Sequence, residues 1–124
     1  MGVDLSISRI NAEGDQTDEY VYIRVLRDCD VGSYLLADTS YEGDEGVSNK
    51  LRHIFWFPDR RVRAGDAVVV RTGEGADTTA RLKTGGTLHR FYWNLQRPVW
   101  NDTGDAAVIM KVTDWAYRTV QPTR

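Results

Sequence analysis

The chain lacks the features that most often reveal the location of a small protein. Its 124 residues include one cysteine, Cys29, which excludes an intramolecular disulfide and zinc sites built from paired cysteines. No apolar run approaches the roughly 18–20 residues of a membrane span. The first residues contain neither the basic nor the apolar stretch of a signal peptide. We therefore expect a cytoplasmic protein without a membrane anchor.

Catalytic and metal-binding patterns are also missing. A metal site would require His53 or His89 to meet a carboxylate such as Asp38 or Asp66, and no spacing indicates such a site. Aspartates flank Cys29, and nearby negative charge raises the pKa of a thiol, so we interpret it as an unreactive turn thiol. The glycine-rich segments 72–75 and 83–86 lack the phosphate-loop pattern. We predict no enzyme, no catalytic residues, no cofactor and no metal.

The charges are unevenly distributed along the chain. Residues 1–47 contain 11 acids and 3 bases, whereas residues 48–100 contain 10 bases and 4 acids. Residues 101–124 contain 3 of each, and the net charge is −2. The simplest interpretation is solvated loops and strand edges. A basic face for an anionic partner is the alternative.

Short alternating runs, broken by turn residues about every eight to twelve positions, predict an all-β two-sheet sandwich in one domain, residues 1–124. Val21, Ile23 and Val25 should face one side of their strand, with Tyr20, Tyr22 and Arg24 on the other. Residues 72–86 should be mostly loop. We predict about eight strands, near residues 3–7, 20–26, 33–38, 53–57, 67–71, 88–93, 106–112 and 114–120.

Five ordered stretches match the pattern of a known family: Ile7–Ile10, Asp18–Ile23, Ile54–Pro58, Val62–Gly75 and Pro98–Met110. They resemble the lamin tail domain, the similarity covers roughly residues 3–120, and the chain is similar to a divergent stand-alone member of that family. The resemblance implies an immunoglobulin-like β-sandwich, and it implies little about function, although the animal members are linked to chromatin and partner binding.

The positions that carry the resemblance should be framework residues. Phe55 and Phe57 should share one face and anchor the core, Trp100 should fill it, and Ala107 and Ile109 should face inward. Gly65 should supply the turn before a buried strand. Where the family usually has a tryptophan in its third strand, this chain has Tyr34, whose hydroxyl would need a hydrogen-bond partner.

The segment from Arg60 to Trp93 is the best candidate for a binding surface, because its basic residues lie among the aromatic residues Trp56, Phe91, Tyr92 and Trp93. Trp, Tyr and Arg are frequent hot spots of protein interfaces, so we predict a non-enzymatic protein-interaction module. Core aromatics covered by arginines would give the same pattern. The candidate partner-binding residues are Arg60, Arg61, Arg63, Arg71, Arg81, Lys83, Arg90 and Tyr92.

Two other functions stay open. The same segment suits a nucleic-acid-binding domain, since charge and stacking hold single strands. A small immunity or antitoxin-like protein is the second alternative, with acidic residues 13–19 or 38–45 covering a basic site of a toxin. Exposed sheet edges allow either a monomer or an edge-paired dimer.

Overall fold

The computed structural model is an all-β sandwich, described for residues 2–12, 15–40, 46–47, 49–100 and 104–122. Among these residues the only helical element is a single 3-10 turn, Val31–Ser33, and no helix is long and apolar enough to cross a membrane. The strands are β1 Leu5–Asn11, β2 Tyr20–Val25, β3 Cys29–Asp30, β4 Tyr34–Ser40, β5 Ile54–Trp56, β6 Arg61–Val62, β7 Ala67–Arg71, β8 Thr78–Arg81, β9 Thr87–Tyr92 and β10 Asp105–Lys111.

The strands form two main sheets and one short pair. The larger sheet has the order β1-β2-β7-β9-β8, in which β7 and β9 run parallel and the other neighbours run antiparallel. The smaller sheet has the order β10-β4-β5, and β3 pairs with β6. Because β7 and β9 are neighbours, strands far apart in sequence contribute to one continuous sheet.

The core lies between the inner faces of the two sheets. Val21, Ile23 and Val25 are buried on β2, which confirms the predicted alternation of that strand. From the smaller sheet, Phe55 packs edge-to-face on Phe57 with ring centroids 5.0 Å apart. Both rings also contact Phe91 of the larger sheet, at 6.2 Å and 5.4 Å. This aromatic cluster joins the two layers, as edge-to-face ring pairs commonly do in cores.

The other framework predictions are confirmed by burial and backbone conformation. Trp100 is buried in the core, and Ala107 and Ile109 pack against it from β10. Gly65 has a φ of 92°, in the left-handed region that favours glycine, immediately before the buried strand β7. Tyr34 is fully buried and its hydroxyl has a partner: it donates to Asp4 Oδ2 at 2.7 Å.

A buried carboxylate fixes the segment that precedes β10. Glu19 has no solvent exposure. Its Oε1 accepts hydrogen bonds from the Thr72 hydroxyl at 3.0 Å and the Val99 N–H at 2.9 Å, and its Oε2 accepts from the Trp100 N–H at 3.1 Å. The start of β2 is thereby connected to the segment that places Trp100 in the core.

The predicted strand pattern is wrong in one segment and incomplete in two others. Residues 114–120 form no strand: Trp115 and Tyr117 are 60% and 80% exposed, and Trp115 contacts the sandwich through an edge-to-face contact with Trp56. The predicted loop 72–86 contains β8, a solvent-exposed edge strand without the apolar alternation that marks a half-buried strand. The described strands number ten rather than about eight, because β3 and β6, with two residues each, are too short to produce a pattern.

Candidate binding face

The outer face of the larger sheet carries arginines and tyrosines from four strands. Side chains alternate along each strand, so the residues opposite the core point outward together. In register across the sheet, Tyr22 lies beside Val69 and Val69 beside Arg90, while Tyr20 lies beside Arg71 and Arg71 beside Tyr92. We call this surface the arginine–tyrosine face; it comprises Arg9, Tyr20, Tyr22, Arg24, Val69, Arg71, Leu88, Arg90 and Tyr92.

Arg9 reaches this face because β1 is irregular. The β1–β2 register shifts between Ile7 and Arg9, as at a β-bulge, and Arg9 then lies opposite Tyr22. Bulges commonly redirect a side chain in this way. The Arg9 guanidinium carbon lies 5.6 Å from the ring centroids of both Tyr20 and Tyr22, and its Nη2 donates to the Tyr20 hydroxyl at 3.0 Å.

The other arginines of the face are held more loosely. The Arg71 guanidinium lies 5.5 Å from the Tyr20 ring centroid, and Arg90 Nη1 donates to the Thr78 hydroxyl at 2.7 Å. Arg24 is exposed on the same face of β2. These contacts orient the guanidinium groups without neutralising their charge.

None of the ion pairs among the described residues involves an arginine of this face. The acids that do form ion pairs are Asp4, Asp38, Asp66 and Asp105, all at other places in the sandwich. Three acids are largely buried: Glu19, Asp38 and Asp66. The face is therefore a concentration of positive charge on a chain whose net charge is negative.

A shallow pocket of about 180 Å³ lies in the middle of the face. Val69 and Leu88 form its apolar floor, and Val69 is almost fully buried there. None of the described residues that line the pocket is acidic. Its walls are Arg9, Tyr20, Tyr22, Arg71 and Arg90.

The eight residues predicted from the sequence are divided among several places. Arg71, Arg90 and Tyr92 lie on the arginine–tyrosine face. Lys83 lies at its end, beside a second depression that Tyr22 and Arg24 also line. The ring of Tyr92 packs closely on the loop 73–77, where a Cβ on Gly75 would collide with it.

The other four predicted residues lie elsewhere. The Arg60 guanidinium lies over the buried Phe91 ring, at 5.2 Å from its centroid, and so belongs to the core side. Arg61 is on the short strand β6, where it pairs in register with Asp30, and Arg63 is in the following turn. Arg81 is on β8 but points to the side opposite Arg90, because its neighbour in register is Thr87.

Sequence reasoning missed six members of the face: Arg9, Tyr20, Tyr22, Arg24, Val69 and Leu88. Three of them were predicted to point away from the core, so the alternation of β2 was the available signal. The alternation does not reveal that β1, β2, β7 and β9 pair in this order. Only this pairing brings Arg9 next to residues 60 to 80 positions later in the chain.

Each histidine pairs with one of the two aspartates considered for a metal site. His53 Nδ1 lies 3.0 Å from Asp38 Oδ1, and His89 Nε2 lies 3.0 Å from Asp66 Oδ2. No third ligand joins either pair, since the described residues contain no group of three or more His, Cys, Asp or Glu that could hold a metal ion. We interpret both pairs as parts of structural hydrogen-bond networks.

The Asp66 network illustrates this role. Burial raises the pKa of the Asp66 carboxyl, but the N–H groups of Thr87 and Arg63 and the His89 ring hydrogen-bond to it, and the net result is a lowered pKa. The Thr87 N–H donates to Oδ1 at 3.0 Å and the Arg63 N–H to Oδ2 at 3.0 Å. The carboxylate thus joins the turn before β7 to the start of β9.

Cys29 is buried on strand β3 rather than exposed in a turn. Its pKa is raised, first by burial and then by the charges of Asp4 and Asp30. The direction predicted from the flanking aspartates is therefore confirmed, with burial as the larger cause. A buried thiol with a raised pKa is a poor nucleophile.

The acidic surface considered for an immunity-like protein loses two of its carboxylates. Glu19 and Asp38 are buried and hydrogen-bonded inside the sandwich. The other acids of those segments include Glu13 and residues 42–45, which lie outside the described residues.

The comparisons with known proteins give no family for this chain. No protein-family model matches it, and no curated protein matches its sequence.

Proposed function

We propose that the protein is a non-enzymatic interaction module that binds an acidic segment of a partner protein on its arginine–tyrosine face. One observation carries this proposal: four arginines project from one sheet face, and none of the ion pairs among the described residues involves them. An acidic partner would supply the missing counter-charge. Arginine and tyrosine are also frequent hot-spot residues in protein interfaces.

We also propose that the chain belongs to the lamin tail domain family, which its sequence resembles. The all-β sandwich and the core positions of Phe55, Trp100 and Ile109 support membership of the lamin tail domain family. We also propose a cytoplasmic location, and a monomer or an edge-paired dimer, which sedimentation analysis would distinguish.

The tyrosine contacts favour an acidic protein segment over a nucleic acid. Base stacking on a protein requires an open ring face. The Arg9 guanidinium lies near the rings of Tyr20 and Tyr22, Arg71 also lies near Tyr20, and the loop at Gly75 covers part of Tyr92. The arrangement therefore offers charge and hydrogen-bond donors more readily than stacking platforms.

The test uses two double variants with the same change in net charge. A fluorescently labelled peptide rich in Asp and Glu is titrated with the protein at low salt, and binding is followed by anisotropy. Arg71→Gln with Arg90→Gln should weaken binding at least tenfold, because each removes charge-assisted hydrogen bonds. Arg61→Gln with Arg63→Gln, exposed and away from the face, is the matched control and should change it less than threefold.

Two results would overturn the proposal. Equal weakening by both pairs would mean that only the total charge matters. Tighter binding of a single-stranded oligonucleotide than of the peptide, with the same dependence on Arg71 and Arg90, would favour the nucleic-acid function. Arg60 is left out of the test because it contacts the buried Phe91 ring, so replacing it would disturb the fold as well as the surface.

A further inference from the structure

The pocket in the arginine–tyrosine face combines positive charge with an apolar floor, and only one kind of ligand would use both. Three guanidinium groups, those of Arg9, Arg71 and Arg90, line a space whose floor is Val69 and Leu88. A ligand that uses both features must be strongly anionic at one end and apolar at the other. A free inorganic anion would leave the apolar floor uncovered, and an apolar group would leave the arginines without a counter-charge.

The charge of the pocket favours a dianion over a single carboxylate. Three positive groups surround it, and no acid is among the described residues that line it. A phosphate monoester carries a charge of about −1.5 to −2 at pH 7 and offers three acceptor oxygens. Arginine also matches phosphate geometry, because its planar group donates two parallel hydrogen bonds.

The three guanidinium groups have donors to offer. Arg9 uses its Nη2 toward the Tyr20 hydroxyl, and Arg90 uses its Nη1 toward the Thr78 hydroxyl. Arg71 Nη1 makes a long contact of 3.5 Å with the Thr17 carbonyl. Among the described residues, each group therefore keeps most of its N–H donors available for a ligand.

The size of the pocket suits a phosphate together with part of its carrier. Its volume of about 180 Å³ is several times the roughly 30 Å³ that one water occupies in the liquid. The aliphatic floor of Val69 and Leu88 would contact a flat apolar carrier. Phosphorylated tyrosine has this combination of a planar ring and a terminal dianion.

We propose that the pocket binds an aryl phosphate, the chemistry of a phosphotyrosine side chain in the partner protein. Arg9, Arg71 and Arg90 hold the phosphate, and Val69 and Leu88 contact the ring. This inference rests on the proposed function, since it names the group that anchors the partner on the same face.

The test compares three small probes by NMR titration of the whole protein at low salt. Phenyl phosphate should bind at least about tenfold more tightly than benzoate, which has the ring with a single charge, and than inorganic phosphate, which has the charge without the ring. Equal affinity for phenyl phosphate and benzoate would overturn the role of the dianion. Equal affinity for phenyl phosphate and inorganic phosphate would overturn the proposed contact between the ring and the apolar floor.

Single variants and the pH dependence of binding test which residues contact the phosphate. Arg9→Gln, Arg71→Gln and Arg90→Gln should each reduce phenyl phosphate affinity about tenfold or more. Arg61→Gln is the matched control, exposed and away from the face, and an equal loss there would overturn the site. Affinity should fall as pH drops below about 6, where the monoester loses its second charge; no change would contradict a dianion.

The two proposals fail in different ways. If phenyl phosphate does not bind but the acidic peptide still depends on Arg71 and Arg90, only the phosphate inference is overturned. If neither probe depends on these arginines, the binding function itself is overturned. Circular dichroism of every variant checks that the fold is intact before affinities are compared.

Discussion

Replacing Glu19 with glutamine tests whether a buried carboxylate holds the sandwich together. The Glu19 side chain accepts three hydrogen bonds, from Thr72, Val99 and Trp100, and two of these come from backbone N–H groups about 80 positions away in sequence. Glutamine has nearly the same shape but replaces one acceptor oxygen with an NH₂ donor. The change therefore alters the hydrogen bonding with little change in packing.

The expected loss follows from the individual contacts. The glutamine oxygen can still accept from Thr72 and Val99, but a bond to a charged group contributes about 1.5–3 kcal/mol and a neutral one about 0.5–1.5 kcal/mol. The NH₂ group would face the Trp100 N–H and leave that buried donor unpaired, at a cost of about 1–3 kcal/mol. Burying an amide is less costly than burying a carboxylate, which offsets part of this loss. We expect Glu19→Gln to lower the free energy of unfolding by about 2–4 kcal/mol.

Urea unfolding followed by circular dichroism at pH 7 measures this loss. Glu74→Gln is the matched control, because Glu74 is exposed and its side chain takes part in none of the described hydrogen bonds; it should change stability by less than about 0.5 kcal/mol. A loss below about 1 kcal/mol for Glu19→Gln, or an equal loss for the two variants, would refute the reasoning. A loss of 2–4 kcal/mol would be a large share of the roughly 5–15 kcal/mol that stabilises a typical domain.

Two further predictions concern pH. Burial and the hydrogen bond to Asp4 raise the pKa of Tyr34 to about 12, so an ultraviolet titration should show one tyrosine ionising late, and Tyr34→Phe should abolish that late step. Because the folded pKa is raised, the contribution of Tyr34 to stability is present below about pH 10 and is lost toward pH 12, and the variant should lose less stability over that interval. The pKa of Asp66 is lowered, so its contribution is present above about pH 4 and is lost as the pH falls further. The stability difference between the wild type and Asp66→Asn should therefore shrink below about pH 4 in urea unfolding, and a difference that stays constant down to pH 2 would contradict it.

Much of the fold could be predicted because it depends on local patterns. The alternation of β2 separates Val21 and Ile23 from Tyr20 and Tyr22, and the structure keeps that division between core and surface. The strand β7 occupies the predicted residues 67–71. In β2 a core on one face imposes period-two hydrophobicity, and in β7 burial on both faces gives a continuous apolar run, so both patterns are strong.

The candidate site was only partly predictable, because it is created by strand pairing rather than by a contiguous segment. The segment from Arg60 to Trp93 contributes Arg71 and Arg90 to the outer face, but it also contains Arg60, which lies over a core ring. Arg9 joins the site through a bulge in β1. A linear sequence specifies neither the order of strands in the sheet nor the side to which a bulge turns a side chain, so composition alone mixes residues from different surfaces.

The distribution of the acids explains why a chain with a net charge of −2 has a strongly basic face. The carboxylates of Glu19 and Asp66 accept hydrogen bonds from backbone N–H groups inside the sandwich. Those of Asp4 and Asp38 form ion pairs with Arg27 and Arg52. These four carboxylates are thus committed to partners away from the arginine–tyrosine face. Like charges on one surface repel each other, so the clustered arginines lower the stability of the isolated protein and gain from any anion that binds there. Binding at this face should therefore stabilise the fold against unfolding and should do so less at high salt, whereas arginines that only cover the core would give no ligand-dependent stabilisation.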